Sequence, residues 1–168
     1  LARVVGAGIA QRGWRLVYGG GRVGLMGVVG TAARQAGGEV LGIMPERLVA
    51  AEAADVSIAR LEIVPDMAVR KTRMVSESDA IVALPGGMGT LDELFEVLTL
   101  AQVGYHTRPI FLVSPLGLFD DLVRLGERLI DEGFIGEVHW QRLQVVPDAQ
   151  TLFDRLQAVM PTVVIPES

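Results

Sequence analysis

The chain has no cysteine, a single lysine, two histidines and only 5% aromatic residues among its 168 positions. The missing cysteine excludes disulfides, thiolate nucleophiles and cysteine-based zinc sites, and it suits a reducing, cytoplasmic compartment. Positive charge is scarce as well. A net charge of -5 offers no general attraction to nucleic acid or anionic lipid, so neither is expected as a partner and the ligand should be a small molecule. The local exception is Arg70-Lys71-Thr72-Arg73, which holds the only lysine. No apolar run approaches the roughly 18 residues of a membrane span, and nothing resembles a signal peptide.

What is abundant is glycine, with 20 residues, in a chain that is 50% apolar. Such a backbone packs closely and turns often, which favours a layered α/β protein over a sandwich or coiled coil. The length supports one sizeable core, so residues 1–168 are expected to form a single nucleotide-binding α/β domain.

The apolar pattern alternates between strands and helices. A helix over 1–11 precedes a short strand over 15–18 that runs into Gly19-Gly20-Gly21. A Gly/Ala-rich helix over 25–36 leads to a strand over 40–44, stopped by Pro45. Residues 46–62 lack periodicity and read as a loop or irregular helix. Asp66 can cap a helix carrying Met67, Arg70, Lys71 and Met74, and a strand over 80–84 ends in Pro85-Gly86-Gly87. A helix over 91–103, a strand over 110–113, an amphipathic helix over 119–132, a strand over 143–146 and an Asp148-capped helix over 149–159 complete the series. This rhythm predicts a Rossmann-like, doubly wound parallel sheet with helices on both faces, its ligand outside the carboxyl ends of the strands. Such a sheet normally begins with a strand, so a first strand is expected upstream of residue 1.

Both glycine clusters fall at those carboxyl ends. Gly19, Gly21 and Gly24 have G-x-G-x-x-G spacing, with Gly20 in the same turn. Glycines let backbone approach an anion, and a following helix start supplies free N–H groups; the plain alternative is tight strand-to-helix packing. A dinucleotide site would also want an acid at the end of the next strand, which Glu39 and Glu46 fit poorly. The second cluster, Pro85-Gly86-Gly87-Met88-Gly89-Thr90, repeats the strand, glycine turn and helix start. Two such turns point to one phosphate-bearing ligand, and the absence of a Gly-Lys-Ser/Thr run argues against γ-phosphate chemistry.

The helix after the second cluster is apolar on most of its circumference and is expected to be buried nearly all round. Glu93, Glu96 and Thr99 form a polar stripe along it. Buried carboxylates need partners, and the basic cluster at 70–73 is the evident supply. Thr90 and Glu93 also match a capping box, in which Thr90 caps the helix and Glu93 bonds back to its amide. The alternative reading of Arg70 and Lys71 is a solvated helix face.

Taken together, Gly19-Gly20-Gly21-Arg22-Val23-Gly24-Leu25-Met26-Gly27, Met67-x-x-Arg70-Lys71, Ser78-Asp79 and Pro85-Gly86-Gly87-Met88-Gly89-Thr90-Leu91-Asp92-Glu93 resemble the LOG family of cytokinin riboside 5'-monophosphate phosphoribohydrolases, long mislabelled as lysine decarboxylases. The resemblance extends through Ala101-Gln102-x-Gly104 and Glu132-Gly133-Phe134-Ile135. It implies Arg70 and Glu93 as the catalytic pair, and a nucleotide site including Glu52, Met67, Lys71, Gly86, Gly87, Met88, Gly89, Thr90, Leu91, Asp92 and Thr99. It also implies a homodimer and no cofactor or metal. Ala68 departs from a histidine common in the family at that place.

The resemblance further implies hydrolysis of the N-glycosidic bond of an N6-substituted adenosine 5'-monophosphate, releasing free base and ribose 5-phosphate. A carboxylate near the ribose C1' stabilises oxocarbenium character or takes a proton from water. Arg70, if partly exposed in a cleft, would orient the nucleotide and tolerate truncation within about 1 kcal/mol. Two other classes remain open on the sequence: a non-catalytic nucleotide carrier or sensor on the same fold, and a pyridoxal-phosphate decarboxylase with Lys71 as its Schiff base.

Overall fold

The computed structural model describes residues 1–49, 54, 55 and 57–160. They fall into two compact units, Leu1–Ser78 and a second beginning at Asp79. Each is built on its own three-stranded parallel sheet.

The first unit runs α1 (Ala2–Gln11), β1 (Leu16–Tyr18), α2 (Gly24–Gln35), β2 (Val40–Pro45), β3 (Arg60–Val64) and α3 (Met67–Ser76). β2 lies between β1 and β3, with Leu16 opposite Val40 and Leu41 opposite Arg60. That central place explains why all six β2 residues are buried. Leu41, Ile43 and Val64 form a core cluster with Val17 and Met74 packed against it. α1 lies close on α2 because Gly6 has no side chain; a methyl there would come 2.3 Å from the Val29 carbonyl oxygen. Asp66 caps α3 as its sequence position predicts, its carboxylate accepting from the Val69 amide at 2.9 Å.

β3 is a correction, because the segment over 46–62 reads as loop or irregular helix. Arg60 and Glu62 put charge into a five-residue run, which hides the strand from periodicity. An edge strand takes its order from the neighbour it pairs with, and β2 supplies that partner over all five positions.

The second unit runs β4 (Ile81–Ala83), α4 (Met88–Gln102), β5 (Ile110–Val113), α5 (Asp120–Asp131), α6 (Glu137–Trp140), β6 (Leu143–Val146) and α7 (Ala149–Val159). β5 is central, and Ile110, Phe111, Leu112 and Val113 are wholly enclosed. Leu152, Phe153 and Leu156 bury the inner face of α7. Asp148 caps that helix through the Thr151 amide at 2.8 Å. The four-residue α6 carries no periodic signal in the sequence; it is seated by Trp140, whose ring lies where a side chain on Gly126 would be.

Parallel strands alternating with helices make the chain α/β and Rossmann-like, as the sequence predicts. In each unit a glycine turn follows the carboxyl end of a strand: Gly19–Gly21 after β1, and Gly86–Gly87 after β4.

Candidate active site

In the second unit the site is a helix start. α4 begins at Met88 with Gly87 as its N-cap, at φ -95° and ψ -145° and without a side-chain cap hydrogen bond. The first helical bond here runs from the Leu91 amide to the Gly87 carbonyl at 3.1 Å. The amides of Met88, Gly89 and Thr90 therefore have no acceptor within the helix, and they share the positive end of its dipole.

This start overturns the capping box. Thr90 is the third residue inside the helix, and its hydroxyl lies against Gly86, where a side-chain carbon would meet it at 2.1 Å. Glu93 is consequently in the second turn and not at the third helical position that a capping box requires. The N-cap is Gly87, three residues before the Thr90 cap that the sequence pattern suggests. Gly86, Gly87, Met88 and Gly89 are exposed, and Thr90, Leu91 and Glu93 are half-buried.

Burial all round α4 is likewise corrected. Leu94, Val97, Leu98 and Ala101 are buried, but Met88 (83%), Phe95 (41%) and Val103 (59%) are exposed, as are Asp92 and Thr99. The Thr99 hydroxyl donates to the Phe95 carbonyl at 2.8 Å. Glu96 is half-buried beside this stripe.

In the first unit Arg70 is the central group. It is only 5% exposed. Its Nε donates to the Ile43 carbonyl at 3.1 Å and one Nη donates to the Gly19 carbonyl at 3.3 Å. The Met67 sulfur stands 3.6 Å from the other Nη, and the Met26 sulfur 3.9 Å from the first. Neither the solvated face nor the partly exposed cleft residue is what forms, because this face of α3 packs over β2 and the guanidinium reaches the carboxyl ends of β1 and β2. Arg73 is spent differently. It holds Glu62 at 2.9 and 3.0 Å and Glu77 at 3.0 Å, and its hydrogen bonds keep the Glu62 carboxyl below the ordinary range.

The glycine turn of this unit has two separate duties. Gly20 takes a left-handed φ of +76°, which a side chain resists. Gly19 makes room: a methyl group on it would sit 1.8 Å from an Nη of Arg70. Gly21 bridges to Ala54, and Gly24 opens α2.

Within the first unit the structure thus brings together Gly19, Met67 and Arg70; Lys71 follows on α3, half-buried. Within the second it brings together the run from Gly86 to Glu93. Glu52 lies outside the described residues. Two participants escape the sequence, Met26 and the Ile43 carbonyl; the only available signal was the place of Met26 just after the glycine turn. A cavity of about 440 Å³ lined by Arg34, Glu39, Ser57 and Arg60 lies at the opposite, amino end of β2 and β3 and shares no residue with these groups. Among the described residues no three His, Asp or Glu are grouped to hold a metal ion, and no helix is long and apolar enough to cross a membrane.

Comparison with known proteins bears on this arrangement. A family profile described as "Possible lysine decarboxylase" matches residues 26–156. A cytokinin riboside 5'-monophosphate phosphoribohydrolase of Mycobacterium tuberculosis is 44% identical over 162 residues, covering 96% of this chain and 85% of that protein. One of the same name from Arabidopsis thaliana is 40% identical over 157 residues, covering 94% and 72%. Among solved structures, a molybdenum cofactor binding protein of Rippkaea orientalis superposes with a TM-score of 0.73 at 21% identity, over 95% of this chain and 86% of its own. The molybdenum cofactor carrier protein of Chlamydomonas reinhardtii gives 0.70 at 22%, over 94% and 84%. At that identity the two structures speak for the fold alone. The relatives at 40% and above, aligned over nearly the whole chain, decide the family: this chain belongs to the LOG family, whose curated members bear the name cytokinin riboside 5'-monophosphate phosphoribohydrolase.

Proposed function

We propose that this protein hydrolyses the N-glycosidic bond of an N6-substituted adenosine 5'-monophosphate, releasing the free base and ribose 5-phosphate. The observation that carries the proposal is the start of α4. Gly87 and Gly89 have no neighbour within 4 Å of where a side chain would begin, so the packing of the described residues does not call for glycine at either position. A glycine inside a helix weakens it, so Gly89, in the first turn, is better explained by a ligand that approaches the backbone, while Gly87 stands at the N-cap, where glycine is common. The 5'-phosphate is assigned to the amides of Met88, Gly89 and Thr90, with Gly86 and Gly87 shaping the turn.

Glu93, one turn further on, is the carboxylate assigned to the sugar. As the C1'–N bond lengthens the ribose becomes oxocarbenium-like, and a carboxylate both stabilises that charge and accepts a proton from the attacking water. One water hydrogen remains on the new ribose hydroxyl and the other ends on the departing base. Arg70 is assigned as the second catalytic residue on the strength of the family resemblance, and its charge is held rigid by two carbonyls. Glu52, Met67, Lys71, Leu91, Asp92 and Thr99 are assigned to the remaining nucleotide contacts on the strength of the family resemblance. The enzyme is proposed to act as a single domain, as a homodimer and in the cytoplasm.

The test is a base-release assay on AMP and its N6-prenylated form with the wild type and Glu93→Gln. The amide keeps the size of the side chain and cannot accept the proton, so turnover should fall at least about a hundredfold while the nucleotide still binds. Glu93→Gln turning over at the wild-type rate would remove the carboxylate from the chemistry. Binding by the wild type without any base release would make the protein a nucleotide carrier.

A further inference from the structure

We infer that the first glycine turn serves as a socket for the Arg70 guanidinium, with Gly19 and Met26 as its positioning residues, and not as a second grip on phosphate. The inference deepens the proposed function and rests on Arg70 serving the nucleotide reaction.

Three observations meet at one place. The Gly19 carbonyl accepts from an Nη of Arg70 at 3.3 Å, so the backbone of the turn holds the group. The missing side chain of Gly19 is what admits it, since a Cβ would stand 1.8 Å from that same nitrogen and 2.7 Å from the Met26 sulfur. Met26, from the first turn of α2, then closes the far side with its sulfur 3.9 Å from the nitrogen. The Ile43 carbonyl in the carboxyl half of β2 takes Nε at 3.1 Å, so β2, the turn after β1 and the start of α2 enclose a group that is 5% exposed.

A turn whose own carbonyl and Cα face a guanidinium presents the wrong polarity and no room to a phosphate at that point. Held by acceptors in a fixed fork, an arginine delivers its charge in one orientation at no cost of ordering when substrate binds. Gly19 and Met26 both stand against the Arg70 guanidinium, so their effect should be on turnover and should pass through Arg70.

The decisive property of Gly19→Ala is which atoms it displaces. The added methyl meets the far ends of two flexible side chains, Arg70 and Met26, and no backbone within 2.7 Å. The variant can therefore fold by swinging the guanidinium out of its socket. In Gly19→Ala, kcat on the nucleotide should fall about tenfold or more with KM within about threefold. Arg70→Lys removes the clashing nitrogen, so adding Gly19→Ala to Arg70→Lys should cause no further loss in kcat or in thermal midpoint. Met26→Leu, which keeps the bulk and removes the sulfur, should lower kcat about threefold and serves if Gly19→Ala does not fold.

A raised KM with unchanged kcat in Gly19→Ala, or losses that multiply in the double variant, would overturn the socket in favour of room for ligand. Unchanged kcat in Met26→Leu would overturn the part given to Met26. If the wild type releases no base, the nucleotide reaction fails; the coupling of Gly19→Ala and Arg70→Lys in thermal midpoint still decides the socket by itself.

Discussion

A buried guanidinium is an expensive thing to remove. Truncating Arg70 to Ala leaves the Ile43 and Gly19 carbonyls without their donor and a gap beneath Met26 and Met67, so the variant should lose on the order of 3 kcal/mol in urea denaturation. A loss below about 1 kcal/mol would mean that the carbonyl clamp is not formed in solution. That cost could not be read from the sequence. Arg70 sits beside Lys71 in a basic stretch and looks solvated, and its acceptors lie 27 and 51 residues away along the chain. The spacing of Glu93 from a glycine turn is local and stands in the sequence itself, whereas its place in the helix does not, because Thr90 looks like a cap and lies inside α4. His106 supplies a second test at this scale. It is 5% exposed, its Nδ1 accepts from the Arg108 amide at 3.2 Å, and its Nε2 therefore carries the hydrogen donated to the Val97 carbonyl at 2.9 Å. Burial, with Arg108 and Arg142 adding to it, lowers its pKa from the ordinary value against the upward pull of the Val97 bond. A base with a lowered folded pKa takes up a proton more readily when unfolded, so its contribution is present above the ordinary histidine pKa and is lost as pH falls below it. Thermal midpoints should decline between pH 7.5 and 5.5, and His106→Gln should flatten that slope. An unchanged slope in the variant would assign the acid sensitivity elsewhere.

At the scale of elements, α4 carries most of the candidate site, and its sequence balances stability against access. Gly89 lies in the first turn, where the described residues leave open space around its Cα. Alanine fits that space and restricts the unfolded chain, so Gly89→Ala should stabilise the ligand-free protein by about 0.5–1 kcal/mol. The same methyl would stand between the amides and a phosphate, so KM for the nucleotide should rise at least about tenfold. Stabilisation without any rise in KM would move the phosphate away from α4. This helix and the strands on either side of it were legible because their apolar runs are long or their turns glycine-marked. β3 was not, for its two charges interrupt a run of five residues, and only the ladder to β2 makes it a strand. α6 was not either, since four residues held by Trp140 against Gly126 leave no period to detect.

At the scale of the whole molecule, the exposed stripe of α4 bears on assembly. Met88, Phe95 and Val103 stand out on a helix whose opposite face is closed by Leu94, Val97, Leu98 and Ala101, and Tyr105 just beyond it is 80% exposed. An exposed apolar patch of this kind is a candidate contact surface. The occupant proposed is a second copy of this chain, so light scattering at micromolar concentration should give twice the 18.0 kDa of one chain. One domain in each copy predicts a single cooperative unfolding transition, and dimerisation predicts that its midpoint rises with protein concentration. Phe95→Glu places a charge where that contact would exclude water, while on the monomer the residue is already 41% exposed. The variant should therefore become monomeric with its circular dichroism unchanged and its midpoint independent of concentration. A wild type that scatters as one chain would leave the stripe without its proposed partner, and two separate transitions would show that the two sheets belong to two domains.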